Sequence, residues 1–183
     1  KPFFLGVGFA RPHIPFVAPR KYYEPYLPYS KLPLPKKVEG DWDDIPKQGI
    51  NYCTSKNMKM DERRQRKAIG GYYASVSFMD AQVGKVLDAL DKSGMRDNTI
   101  VIFASDNGAP AYIGLPEVNQ PYRGWKLTMF EGGLRVPYVA KWPGRIPAGS
   151  RYAAPISNID VLPTLLAAAG AALPKDRVTD GVN

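Results

Sequence analysis

The 183 residues contain a single cysteine and a single histidine. Cys53 has no partner in the chain, so an internal disulfide is excluded. Tetrahedral zinc sites built from thiolates and imidazoles are excluded by count. Long apolar runs are also lacking: no stretch approaches the ~18 consecutive apolar residues of a membrane-spanning helix. A basic segment followed by a short apolar one, the mark of a secretory leader, is absent too, and targeting is not legible. There is no internal repeat and no low-complexity segment. A GxSxG nucleophile elbow is missing, which argues against a serine triad built around the lone His13. Any metal bound here needs oxygen ligands.

What is present is a basic, proline-rich globular sequence. Lys and Arg number 25 against 17 Asp and Glu, a formal charge of +8. The length suits one domain, and an apolar content of 44% argues against disorder. The chain opens at Lys1-Pro2-Phe3 inside what reads as a strand, so it is expected to be an interior piece of a longer protein. Phe3 to Phe9 is nearly continuous apolar sequence and predicts a strand buried on both faces of a parallel or mixed sheet. Residues 10–60 carry so many prolines that a long helix or central strand is excluded. Asp61 is a candidate N-cap for a helix running to Ser93. Tyr72, Val76, Met79, Val83, Val86, Leu87 and Leu90 supply its core stripe, and Gly94 its left-handed cap. The pair Gly70-Gly71 weakens the first turns. Thr99 to Ala104 (TIVIFA) predicts a buried strand, and Val136 to Trp142 another, ended by Pro143-Gly144. Asp160 is expected to cap a short helix through Ala169, with Pro163 in its first turn and Gly170 at its end. Helix, glycine turn and strand together predict an α/β layer architecture.

Four residues carry the candidate chemistry. Asp106 and Asn107 follow the strand Thr99–Ala104, where open α/β sheets bind ligands. A carboxylate and an amide carbonyl are hard oxygen donors for Ca²⁺ or Mg²⁺, although Asp-Asn-Gly is also an ordinary turn. His13, between Pro12 and Pro15, could donate to an anion or protonate a leaving group, or could be a plain loop histidine. Lys126, in Arg123-Gly124-Trp125-Lys126, offers a compact cation for a sulfate or phosphate oxygen; neighbouring Glu131-Gly132-Gly133 lets backbone come close. The loop matches neither a Walker A nor a GxGxxG pattern. The run Arg63-Arg64-Gln65-Arg66-Lys67 reads best as a solvated helix face, with polyanion binding as the alternative. Cys53 has no neighbouring histidine and reads as a bystander.

Five segments, in order, resemble the type I sulfatase family of the alkaline-phosphatase-like superfamily. They are KPFFLGVGFARPHIPF, GGYYASVSFMDAQVGKVLDAL, NTIVIFASDNG, RGWKLTMFEGGLRVPYVAKWPGRI and SNIDVLPTLLAAAG. The resemblance implies an α/β sandwich with a mixed, largely parallel central sheet flanked by helices, residues 1–183 forming part of one catalytic domain. It implies that Asp106 and Asn107 are two ligands of a divalent cation, Ca²⁺ before Mg²⁺. It implies that Lys126 contacts the sulfate and His13 the ester oxygen or leaving group. Glu131, Arg135 and Asp160 match positions assigned to structure. The family's formylglycine nucleophile arises in a Cys/Ser-x-Pro-x-Arg motif, which Cys53-Thr54-Ser55-Lys56 does not fit. That nucleophile is expected upstream of Lys1, and the chain by itself is expected to be inactive. The implied substrate is a small-molecule or glycan sulfate ester. The implied compartment is periplasmic, secreted or lysosomal, with no nucleic-acid partner. The alternatives are a phosphonate or phosphate ester hydrolase of the same superfamily and a non-catalytic polyanion-binding module.

Overall fold

The structure, a computed structural model, describes residues 3–34, 39–40, 60–110 and 119–183. Cys53 lies outside the described residues. Two compact units divide the chain, Lys1–Pro143 and Gly144–Asn183.

The first unit is organised on one helix, α1, spanning Glu62–Lys92. Asp61 caps it as expected: its carboxylate accepts from the Arg64 backbone N–H at 2.8 Å, satisfying one of the orphan donors of the first turn. Glu62 pairs with Arg66 one turn on, at 3.2 Å. Gly94, with φ of 71°, supplies the left-handed residue after the end.

Within the proline-rich segment, the described residues 10–34 form three short 3₁₀ turns, Arg20–Tyr22, Glu24–Tyr26 and Tyr29–Lys31. They pack along α1 through aromatic pairs. Phe16 meets Tyr72 edge-on at 5.6 Å, Tyr22 meets Phe78 at 5.3 Å and Tyr26 meets Tyr73 at 5.4 Å. The Tyr26 and Ser77 hydroxyls share a hydrogen bond of 2.6 Å.

This docking corrects two expectations. Gly70-Gly71 does not loosen the helix start. Both glycines are buried, because a Cβ at Gly70 would strike the Tyr29 ring and one at Gly71 would crowd Phe16 at 3.2 Å. The core face is also shifted. Ile69, Gly70, Gly71, Ala74 and Ser75 are the buried positions of α1, and the expected stripe beyond Val76 is only partly covered, with Leu87 41% exposed. The aromatic partners described above meet α1 at Tyr72, Tyr73 and Phe78, so burial follows those partners and not the apolar periodicity.

The strand TIVIFA is present as β1, Val101–Ala104, and the second as β2, Tyr138–Lys141. They pair antiparallel, Val101 opposite Lys141 and Ala104 opposite Tyr138. Ser105 extends the ladder by donating its N–H to Pro137 at 3.1 Å. Among the described residues this is the whole sheet, and its one pairing is antiparallel where a mixed, largely parallel sheet was expected. Phe3–Phe9 is not a strand here, and Phe4 is 82% exposed. A strand apolar on both faces forms only when neighbours cover its edges and faces. Among the described residues nothing pairs with it.

The second unit holds a 3₁₀ turn, Asn158–Asp160, running into α3, Val161–Ala168. Asp160 begins the helix as expected, with Pro163 buried in its first turn and Gly170 at φ of 68° behind its end. The carboxylate of Asp160 does not cap α3. Its two oxygens accept from Ser157 N–H at 2.7 Å and from Val182 N–H at 2.9 Å, which ties the chain end back to the turn.

Candidate functional site

The end of β1 is where the expected metal ligands emerge. Asp106 is exposed and Asn107 half-buried. The Asn107 side-chain N–H donates to the Asp106 carboxylate at 2.5 Å, and the Ser105 hydroxyl donates to the Asn107 carbonyl at 3.2 Å. Rotating the amide by half a turn would replace that donor with a second oxygen beside the carboxylate. The two fit as hard oxygen ligands of a divalent cation and are too few to hold one. Among the described residues no group of three or more His, Cys, Asp or Glu is gathered for a metal.

Glycines then bring a second loop against this turn. Gly108 donates its N–H to the Gly133 carbonyl at 2.9 Å, and a Cβ at Gly108 would overlap the Gly132 carbonyl. Gly132 in turn donates to Arg123 at 2.7 Å. A Cβ on Gly132 or Gly133 would run into the backbone of residues 123–128. These three positions need glycine for close backbone approach. Lys126 donates its N–H to the Ala109 carbonyl at 3.3 Å, so its backbone abuts the loop that starts at Asp106.

One residue that sequence reasoning missed locks this junction. The side chain of Asn119 accepts from Ala109 N–H at 2.9 Å and donates to the carbonyls of Ala109 at 2.9 Å and Gly124 at 3.1 Å. Nothing in a lone Asn between unremarkable neighbours marks it out; only the fold brings it between the two loops. Glu131 opens the short helix α2, Glu131–Leu134, and pairs with Arg135 at 3.4 Å. Arg135 also stacks over Tyr122 at 4.6 Å, and Arg123 over Phe130 at 4.4 Å. Both cation–π contacts brace the same loop.

His13 is held separately, by contacts within its own loop. Its Nδ1 lies 2.7 Å from the Ile14 carbonyl. A carbonyl can only accept, so Nδ1 carries a proton and Nε2 is the nitrogen left to act. The backbone N–H of His13 closes a turn onto Ala10 at 3.0 Å. Arg11, a second residue not foreseen, spans the loop: Nε donates to Val17 at 3.0 Å and Nη1 to the His13 carbonyl at 3.4 Å. A cation two places before the histidine was the available signal. The geometry thus joins the Asp106–Asn107 turn to the Lys126 loop and leaves His13 on an exposed, braced loop of its own.

The family model for sulfatases matches residues 1–171. The chain belongs to the sulfatase family. It is 34% identical to a choline-sulfatase of Rhizobium meliloti (strain 1021) over 186 residues, covering all of this chain and 35% of that protein. It is 46% identical to a steryl-sulfatase of Rattus norvegicus over 118 residues, covering 61% of this chain and 20% of that one. The sulfatase chain therefore spans about a third or less of the curated relatives it matches. A crystal structure of Ps i-CgsB in complex with k-i-k-neocarrahexaose superposes with a TM-score of 0.66 at 29% identity, over 94% of this chain and 30% of that one. Together with the helix-and-sheet make-up of the described residues, these likenesses are consistent with an α/β fold of the alkaline-phosphatase-like type.

Proposed function

We propose that this sulfatase-family chain is part of a sulfuric ester hydrolase, to which it contributes two metal-ligand oxygens, a sulfate-binding cation and an acid for the leaving group. The observation that carries the reading is the glycine-stitched junction: the Asp106-Asn107 turn and the Lys126 loop are joined by backbone hydrogen bonds at Gly108, Ala109 and Gly133. In the larger sheet sandwich that the family implies, this junction sits at the end of a strand, where α/β sheets bind ligands.

Asp106 and Asn107 hold the divalent cation, Ca²⁺ before Mg²⁺, together with ligands from elsewhere in the whole protein. When bound, the cation polarises the sulfate and steadies the nucleophile. The Lys126 ammonium sits against a sulfate oxygen and offsets charge that grows there in the transition state. His13, in its protonated form, keeps its Nδ1–H on Ile14 and donates Nε2–H to the departing alcohol oxygen, so the leaving group departs neutral. The nucleophile, a formylglycine hydrate, comes from outside this chain. The substrate is a small-molecule or glycan sulfate ester. The compartment is periplasmic, secreted or lysosomal. Among the described residues no helix is long and apolar enough to cross a membrane.

The test is turnover of an aryl sulfate and an aryl phosphate, side by side, by the full-length protein. Sulfate hydrolysis is expected to dominate, and a clear phosphate preference would overturn the assignment in favour of a phosphate or phosphonate ester hydrolase. Lys126→Ala should cut kcat by about 10²- to 10³-fold, the cost of removing one preorganised charge-stabilising group, with thermal unfolding unchanged.

A further inference from the structure

The basic run at the start of α1 has no part in the ester hydrolysis proposed above. Within it Arg66 is committed to structure, donating to the Leu32 carbonyl and to Glu62. Arg64 and Lys67 are not: neither side chain has a hydrogen-bond or ion-pair partner among the described residues. Arg64, Lys67, Ala68 and Gly71 are spaced so that they share one face of the helix. Phe16, Tyr23 and Tyr29 stand against that face, and the seven residues line an open groove of about 370 Å³.

The chemistry of the groove is two-sided. Its apolar lining is Ala68, Gly71 and the rings of Phe16, Tyr23 and Tyr29. The Tyr23 hydroxyl is engaged, donating to Phe16 at 2.7 Å and accepting from Ala18 N–H at 3.2 Å, so Tyr23 contributes its ring. Burial, with Tyr23 beside it, holds the Tyr29 phenol above its usual range and neutral. Among the described residues, the two cations on the helix face are the groove's only charged lining. A nucleic acid or heparin chain would use the cations and leave the apolar lining empty. A neutral apolar compound would do the reverse. An aromatic or aliphatic body with one anionic group matches both.

We propose that this groove binds an amphipathic organic anion, its apolar body against Ala68 and the rings of Phe16, Tyr23 and Tyr29 and its anionic group against Arg64 and Lys67. The site shares no residue with the Asp106–Lys126 junction or with His13, so it stands whether or not the chain hydrolyses sulfate esters.

The probe is 2-naphthalenesulfonate, whose C–S bond is not an ester and cannot be turned over by ester hydrolysis. Titration calorimetry on the full-length protein should show one saturable site that persists in Lys126→Ala. Arg64→Gln/Lys67→Gln together should weaken it at least tenfold, and added NaCl should weaken it further. Inorganic sulfate and 2-naphthol, each carrying half of the chemistry, should each bind at least tenfold more weakly. Ala68→Leu, which adds bulk to the apolar lining and keeps both cations, should also abolish binding, and it decides the matter if the double variant does not fold. Absence of a saturable site, unchanged affinity in the variants, loss of binding in Lys126→Ala alone, or equal affinity for sulfate would each overturn the proposal.

Discussion

Ser75 sits at 0% exposure on α1, and its hydroxyl has no hydrogen-bond partner among the described residues. A buried donor left unmade costs about 1–3 kcal/mol of desolvation. Alanine removes that cost without opening space larger than one oxygen, and it has the higher helix propensity. Ser75→Ala is therefore expected to stabilise the protein by about 1 kcal/mol, read as a raised midpoint in urea with an unchanged slope. A lowered midpoint would mean that the hydroxyl has a partner. The site residues divide in the same way between what a side chain announces and what it conceals. Asp106, Asn107, Lys126 and His13 stand out as candidates because each carries a group with its own chemistry and lies in a segment that resembles the sulfatase family. Asn119 and Arg11 do not, because each works by satisfying backbone groups several residues away, and sequence spacing carries no record of such contacts.

At the scale of elements, the two kinds of glycine in α1 make opposite predictions. Gly84 has open space where a Cβ would stand, whereas at Gly70 that Cβ would meet the Tyr29 ring. Gly84→Ala should stabilise by about 0.5–1 kcal/mol through chain entropy alone. Gly70→Ala should destabilise by about 1–2 kcal/mol, because the docked tyrosine must move and the helix gain offsets only part of the strain. Equal effects of the two substitutions on the unfolding midpoint would refute the docking of the proline-rich segment. This pair also explains how much of the fold could be read in advance. Caps, breakers and β-branched runs act locally, so the ends of α1, β1, β2 and α3 were found to within two residues. The buried face of α1 and the unpaired state of Phe3–Phe9 depend on which partner is present, and apolar periodicity is silent on that. The tail of the second unit offers a further test. Val182 N–H first, and Ser157 N–H second, hold the Asp160 carboxyl below its ordinary range. A carboxyl lowered on folding stabilises the folded form fully above the ordinary carboxylate pKa of about 4, and that contribution is lost as pH falls through the lowered value. Amide exchange at Val182 should accelerate across that acidic window, beyond the slower intrinsic chemistry. In Asp160→Asn, whose carboxamide cannot titrate, the change with pH should vanish. A wild-type pH response surviving in Asp160→Asn would assign it to another group.

For the molecule as a whole, charge and metal chemistry have to be considered together. The chain carries +8, and its candidate metal ligands amount to one carboxylate and one amide. Calcium takes six to eight oxygens, and its affinity rises with the number of carboxylates. One charge against a net positive chain cannot supply that, whereas a chain about three times as long can bring further acidic ligands to the same turn. The curated relatives are of that length, since this chain covers 35% of one and 20% of another. The expectation is therefore a contrast between two preparations. The 183-residue chain alone should take up no calcium measurable by calorimetry at millimolar concentrations. The full-length protein should bind it, and Asp106→Ala should weaken that binding more than Asn107→Ala, because a formal charge is lost in the first and only a dipole in the second. Activity should fall in the same order and recover partly with excess calcium. Stoichiometric uptake by the short chain would show that the described turn is sufficient. Unchanged metal content in both full-length variants would remove Asp106 and Asn107 from the ligand set, leaving Lys126 and His13 to be tested on their own.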